Sequence, residues 1–253
     1  MPADANAIFE DELARRGVAF ERQDDDIYRL RRDGWTITAN LANVRRNAER
    51  DNDADAVRRF ADEVLSAFPP SHPDWETASR LLLFSAEPVD QEFGDSIRSA
   101  VTGQVARVLT LRNAELTRVT WVTPKMCADW GVTEEQATAA ARANQDGLLR
   151  GITIETMGDG DDLVGTLPLA SPYKASVIFA DAFKGFVERA LGWPVLAVIP
   201  CRDFIFIVKD GSPLIGKMGG VVVQEFRQSG YPITTEVLRI SDEGIEAIGH
   251  FPA

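Results

Sequence analysis

Gly211-Ser212-Pro213-Leu214-Ile215-Gly216-Lys217 has the GxxxxGK spacing of a loop that cradles phosphates with backbone amides, and it lies between a predicted strand and a predicted helix. Two residues work against that chemistry. Met218 stands where a Ser or Thr hydroxyl would hold Mg²⁺, and Pro213 removes one amide. The remainder of the chain is also too short to supply the later strands and the acidic metal ligand of such a fold. Asp159, Asp161 and Asp162 around Gly160 begin like a calcium loop, but its sixth position falls on Val164 and its closing bidentate position on Ala170. A solvated hairpin turn is the expectation there. Catalysis by a Ser or Cys nucleophile needs a base, and the only histidines are His72, in a proline-rich stretch, and His250, near the end of the chain. Neither a GxSxG elbow nor an HExxH helix occurs.

Ile199-Pro200-Cys201-Arg202-Asp203 is the most specific local feature. Pro200 ends one predicted strand, and Arg202 and Asp203 open the next near a sheet end. In that position Arg202 could grip an anionic group while Asp203 orients it. The competing reading is a tight turn in which Arg202 bonds backbone carbonyls or a nearby acid. Cys201 beside Arg202 is either a thiol of lowered pKa or, as is commoner, a buried inert one. Asn40, Asn43 and Asn144 are the polar side chains that could add specificity to an anion site.

These residues sit in a chain of 253 residues that is 45% hydrophobic and 26% charged, which is ordinary globular composition. The longest apolar stretch, Trp193 to Cys201, is broken by Pro194 and Pro200, whereas a spanning helix needs about 20 apolar residues. Acids near the N-terminus replace the positive start of a secretory signal, so a cytoplasmic location is expected. Cys127 and Cys201 are far apart and belong to no metal or redox spacing, and no cofactor is implied. A net charge of −12 repels polyanions, which argues against nucleic acid as the main ligand. Charge is unevenly spread: residues 1–60 hold 11 arginines, no lysine and 13 acids. Those arginines could offer forks to carboxylates on a partner, or simply interleave in surface ion pairs.

The elements that would position these groups follow from hydrophobic periodicity. Ile8, Phe9 and Leu13 predict a helix from Ala5 to Arg16, stopped by Gly17. Val18–Phe20, Ile27–Leu30 and Trp35–Thr38 read as short strands, the last two joined through Asp33-Gly34. Val57, Phe60, Val64 and Leu65 form a helical stripe, and Phe68 to Pro73 is the best linker. Residues 1–70 thus read as a smaller helix-hairpin-helix region and 71–253 as the main α+β domain.

In that domain the segment from Trp75 to Gly103 shows no clear period, while Val105–Leu111 and Leu116–Thr123 read as strands. Thr133-Glu134-Glu135-Gln136 is a capping box opening a helix to about Arg150. Ile152–Thr156 and Leu163–Leu167 form a hairpin. Ser176–Phe179 is a strand or the start of a helix that continues through Phe186 and Leu191. Val195–Ile199 and Phe204–Val208 are predicted central strands. Leu214, Met218, Val221, Val222 and Phe226 share one helical face, and Glu236–Ile240 is the final strand. Without a regular βαβ rhythm, the expected class is α+β, with a mixed and largely antiparallel sheet packed by helices.

Ile199-Pro-Cys-Arg202-Asp203, Tyr173-Lys-Ala-Ser176, Ala143-Asn144 and Asn40-Leu41-Ala-Asn43 together resemble the YtpQ-like bacterial family, domain of unknown function 1444. Cys201 and the arginine-rich stretch before residue 70 differ from that family's pattern. The resemblance implies a cytoplasmic mixed α/β protein and brings no established activity, cofactor or catalytic residue. The sequence therefore favours a non-enzymatic binding protein with a protein partner, no nucleic acid and no membrane, its oligomeric state unspecified. The alternative is a protein or enzyme that handles a small anionic ligand through Arg202 and Asp203, with Asn40, Asn43 and Asn144 nearby.

Overall fold

A computed structural model describes residues 4–32, 35–51, 53–66, 73–113, 119–169 and 171–252, without the side chains at 35, 36, 47 and 49–51. The chain divides into two compact units, Met1–His72 and Pro73–Ala253.

In the first unit α1 (Ala5–Arg15) starts where the Asp4 carboxylate accepts the Asn6 and Ala7 amides, and ends at Gly17, whose positive φ closes the last turn. Three antiparallel strands follow as a meander: β1 (Ala19–Arg22), β2 (Ile27–Arg32) and β3 (Trp35–Asn40). Pairing of Tyr28 with Ala39 and of Leu30 with Ile37 sends one face inward. Helices α2 (Ala42–Asp51) and α3 (Ala54–Ser66) complete the unit, with Val57, Ala61 and Leu65 recurring every fourth residue on the buried stripe of α3. Phe9, Leu13, Tyr28, Leu30, Leu41 and Val57 close its core. The unit is therefore helix, three-stranded meander and two helices. The expected Asp33-Gly34 turn, and the linker apart from Pro73, lie outside the described residues.

The second unit opens with α4 (Trp75–Ser79), capped by Asp74. Around β6 (Val105–Arg112) pair β4 (Leu82–Pro88), β5 (Arg98–Ala100) and β7 (Val119–Trp121), all antiparallel. Of the predicted strand at Leu116–Thr123, residues 116–118 are outside the described residues. Helix α5 (Pro124–Trp130) is capped by Thr123, and α6 (Glu134–Gly147) by the complete capping box of Thr133 and Gln136. That helix ends at Gly147 rather than near Arg150, the next residues forming turns.

A six-stranded antiparallel sheet runs in the order β13-β12-β10-β11-β9-β8. Its members are β8 (Glu155–Met157), β9 (Val164–Thr166), β10 (Val195–Val198), β11 (Phe206–Lys209), β12 (Glu236–Ser241) and β13 (Gly244–His250). The apolar run of β10 is central because both its faces are covered. Val195 and Ala197 join the main core with Phe84, Leu109 and Leu238, while Leu196 and Val198 pack on the other side near Val222 of α8 (Gly219–Gln228). Helix α7 (Phe183–Leu191) adds Phe183, Val187 and Leu191 to the main core.

The architecture is α+β with antiparallel sheets. Four local expectations are corrected. Residues Ala175–Phe179 form a 3-10 turn, wound by the backbone bonds Ser176 N–H to the Tyr173 carbonyl and Ala180 N–H to the Val177 carbonyl. Val221 is exposed, because the regular helix begins only at Gly219, after a 3-10 turn over Pro213–Lys217 that puts the earlier residues out of phase. Glu236–Ile240 is not the last strand. Strand β13 pairs outside it, largely exposed and carrying a bulge opposite Val237 and Leu238, so its pattern lacks the alternation that would mark it. Finally, Arg202 and Asp203 do not open a strand, since β11 begins at Phe206 and Cys201 forms an isolated bridge with Pro232. Among the described residues no helix is long and apolar enough to cross a membrane.

Candidate functional site

Strand β4 carries six consecutive buried residues, Leu82 to Glu87, and lies at the edge of its sheet, so its outward amides need partners from elsewhere. Side chains supply them. The Phe84 N–H donates to Gln145 Oε1 at 3.0 Å and the Ala86 N–H to Ser176 Oγ at 2.9 Å. Gln145 Nε2 in turn donates to the Ser176 carbonyl at 2.7 Å. Asn144, one position earlier on α6, gives its amide to the carbonyls of Ser79 and Leu82 at 2.7 and 2.9 Å. Asn144 is thus a fastener between α6 and the entry to β4.

The end of the strand holds Glu87, only 1% exposed. Arg202 reaches it from the turn after β10, placing Nη2 at 2.6 and 2.7 Å from its two oxygens, and Ser85 Oγ donates to it at 2.5 Å. The Arg202 guanidinium also lies 4.5 Å from the centre of the Tyr231 ring. Backbone bonds fix the turn, from the Ala175 N–H to the Arg202 carbonyl at 3.0 Å and from the Arg202 N–H to the Tyr231 carbonyl at 3.4 Å. Beside it the buried Tyr173 hydroxyl shares a 3.2 Å hydrogen bond with Thr110, which donates to the Leu83 carbonyl.

The electrostatics follow from burial. Desolvation pushes Tyr173 up to about 12, with the Thr110 hydrogen bond and the charges of Arg202 and Arg112 pulling the other way. Burial works against the Arg202 charge, but the Glu87 carboxylate outweighs it and holds the guanidinium above its ordinary value. Desolvation raises the Asp203 carboxyl despite the attraction of Arg202 and Lys174, although much of that residue meets solvent. The Arg202 half of the predicted pair therefore points inward to Glu87 and the Asp203 half is exposed. Both thiols are raised by burial, so neither Cys201 nor Cys127 has the thiolate character a nucleophile needs.

The remaining predicted residues are spread over the chain. Asn40, in the first unit, caps α2 by accepting the Ala42 N–H at 2.9 Å, and Asn43 sits half-buried in the first turn of that helix. The two phosphate- and calcium-like motifs answer each other: Ser212 Oγ donates to the Asp161 carbonyl at 2.6 Å and Lys217 Nζ lies 3.4 Å from Asp162. His250 is exposed at the end of β13, and His72 lies outside the described residues. Among the described residues no three His, Cys, Asp or Glu side chains group as metal ligands. Two open depressions stand out. One of about 350 Å³ is lined by Gly219, Val223, Arg227 and Phe251, and one of about 660 Å³ runs along α6 past Glu134, Arg142 and Asp181.

Sequence reasoning missed Glu87, Gln145, Tyr231 and Arg112. Glu87 did leave a signal, a carboxylate closing an apolar run, but its partner is 115 positions away. Comparison of this chain with family models, curated proteins and solved structures finds no match among any of the three.

Proposed function

We propose that this chain is a non-enzymatic cytoplasmic binding protein, related to the YtpQ-like family, that presents charged outer surfaces to a protein partner. The observation carrying this reading is the fate of the most reactive-looking groups. Glu87 is buried and bound by Arg202 and Ser85, so a proton acceptor that chemistry could use is committed to the fold. The thiols are buried, and His250 stands exposed at the end of an edge strand. A kinship with the family is supported by the way three of its motifs meet at β4: Asn144 fastens the strand's start, Ser176 its edge, and Arg202 its end. Against these inward residues stands an outer surface with a large acidic excess, which suits a basic partner surface and fast, salt-sensitive association.

The test is affinity capture of the full chain from native lysate at low salt, followed by purification and titration of the captured protein. A stoichiometric partner that is released by salt and rebinds in pure form is the expected result. Failure to recover any stoichiometric partner, or turnover of a metabolite by the purified chain, would contradict the proposal.

A further inference from the structure

We infer that Met157 is a modification site of this chain, where hydrogen peroxide converts the thioether to the sulfoxide while the chain stays folded. This goes beyond the proposed function and stands whether or not a protein partner exists. Burial divides the methionines of the described residues into two kinds. Met126 of α5 is 5% exposed in the main core, and Met218 is 7% exposed where it packs with Leu196, Val198 and Val222. Met157 ends β8, the outermost strand of the six-stranded sheet, and is 57% exposed, more than any other large apolar side chain among the described residues.

In the reaction a sulfur lone pair attacks one peroxide oxygen and the O–O bond breaks. The departing hydroxide takes up the proton of the transferred oxygen and leaves as water, so sulfur is oxidised, the peroxide is reduced and no further reactant is needed. The sulfur must meet solvent for this to happen, and at Met157 it does. The exposed acids of the adjoining turn, Asp159, Asp161 and Asp162, do not repel an oxidant that carries no charge. The product is tolerated there as well. A sulfoxide oxygen accepts hydrogen bonds, which water supplies at an exposed position, and the backbone pairing of Met157 with Val164 does not involve the side chain. At Met126 or Met218 the same oxygen would sit among apolar side chains without a donor. Those two thioethers therefore react only when the surrounding core opens, and their rates follow unfolding.

The experiment treats the full chain with hydrogen peroxide, with and without urea, and follows the sulfoxide at Met126, Met157 and Met218 over time by peptide mass spectrometry. In the folded chain Met157 is expected to react about tenfold faster or more than the other two, with the circular dichroism of the oxidised chain unchanged. Urea that unfolds the chain should bring Met126 and Met218 up to the rate of Met157. Met157→Leu should leave their slow rates in the folded chain as they are. Equal rates at the three positions without urea, or Met126 or Met218 ahead of Met157, would overturn the inference. So would a Met157 rate that rises with unfolding as theirs do, or loss of folded structure in step with oxidation at Met157.

Discussion

In the first unit Arg58 meets Asp55 and Arg59 meets Asp53 with 52% and 65% of the arginine side chains exposed, whereas in the second Arg202 meets Glu87 at 15% and 2% exposure. The chemistry of each pair is the same and the surroundings are opposite. Water screens the first pairs and both partners can return to it, so each is worth little. In the second, neither partner can be rehydrated without unfolding, so removing one leaves the other charged and buried. The eleven arginines of residues 1–60 dominate the composition, yet the single arginine after β10 ties three distant segments together.

The largest expected effect breaks the buried member of that comparison. Arg202→Met should cost about 3–5 kcal/mol in urea unfolding, because Glu87 loses its counter-charge. Next comes the neutral part of the same region. Gln145→Leu leaves the Phe84 amide and the Ser176 carbonyl unpaired at the buried edge of β4, and a loss of about 1–3 kcal/mol is expected. Hydrogen exchange at Phe84 should accelerate while the amides of α1 stay unchanged. In the exposed region Arg59→Ala should change stability by at most about 1 kcal/mol, and the difference should vanish near about 1 M salt.

The smallest effect concerns Asp203. Its folded carboxyl is raised, so the folded chain holds this proton more tightly than the unfolded one, and the associated stability is present at acid pH and lost as pH rises through the folded value. Asp203→Asn should therefore stabilise slightly at neutral pH, by no more than about 0.5 kcal/mol given solvent screening, with the gain disappearing below the ordinary carboxylate range. Thermal unfolding across pH measures it.

What was legible in the sequence was local. The capping box at Thr133, the helix stop at Gly17, and the strands flanking the 199–203 turn are set by neighbours within a few residues, and the α+β class follows from their order. What was not legible shares a cause. Arg202 was singled out, but its direction depends on an acid in β4, and nothing near Pro200 encodes which distant carboxylate it meets. The GxxxxGK segment and the acidic turn look like two ligand loops in one dimension and prove to be each other's partners in three. Asn144 and Asn40 read as specificity groups because an asparagine's amide suits ligands and backbone ends equally; here the backbone takes both. Strand β13 escaped because its two faces are nearly equally exposed, which erases the alternation that marks a half-buried strand.

Glu87 and Arg202 are structural partners whose charges exist for each other. Urea unfolding of the wild type, Glu87→Leu, Arg202→Met and the combined variant tests it most directly. Each single change should be costly, and the combined variant should retain more stability than either single one, since no buried charge is then left alone. A combined loss equal to the sum of the two single losses would mean that the two side chains act independently, and the account would be wrong.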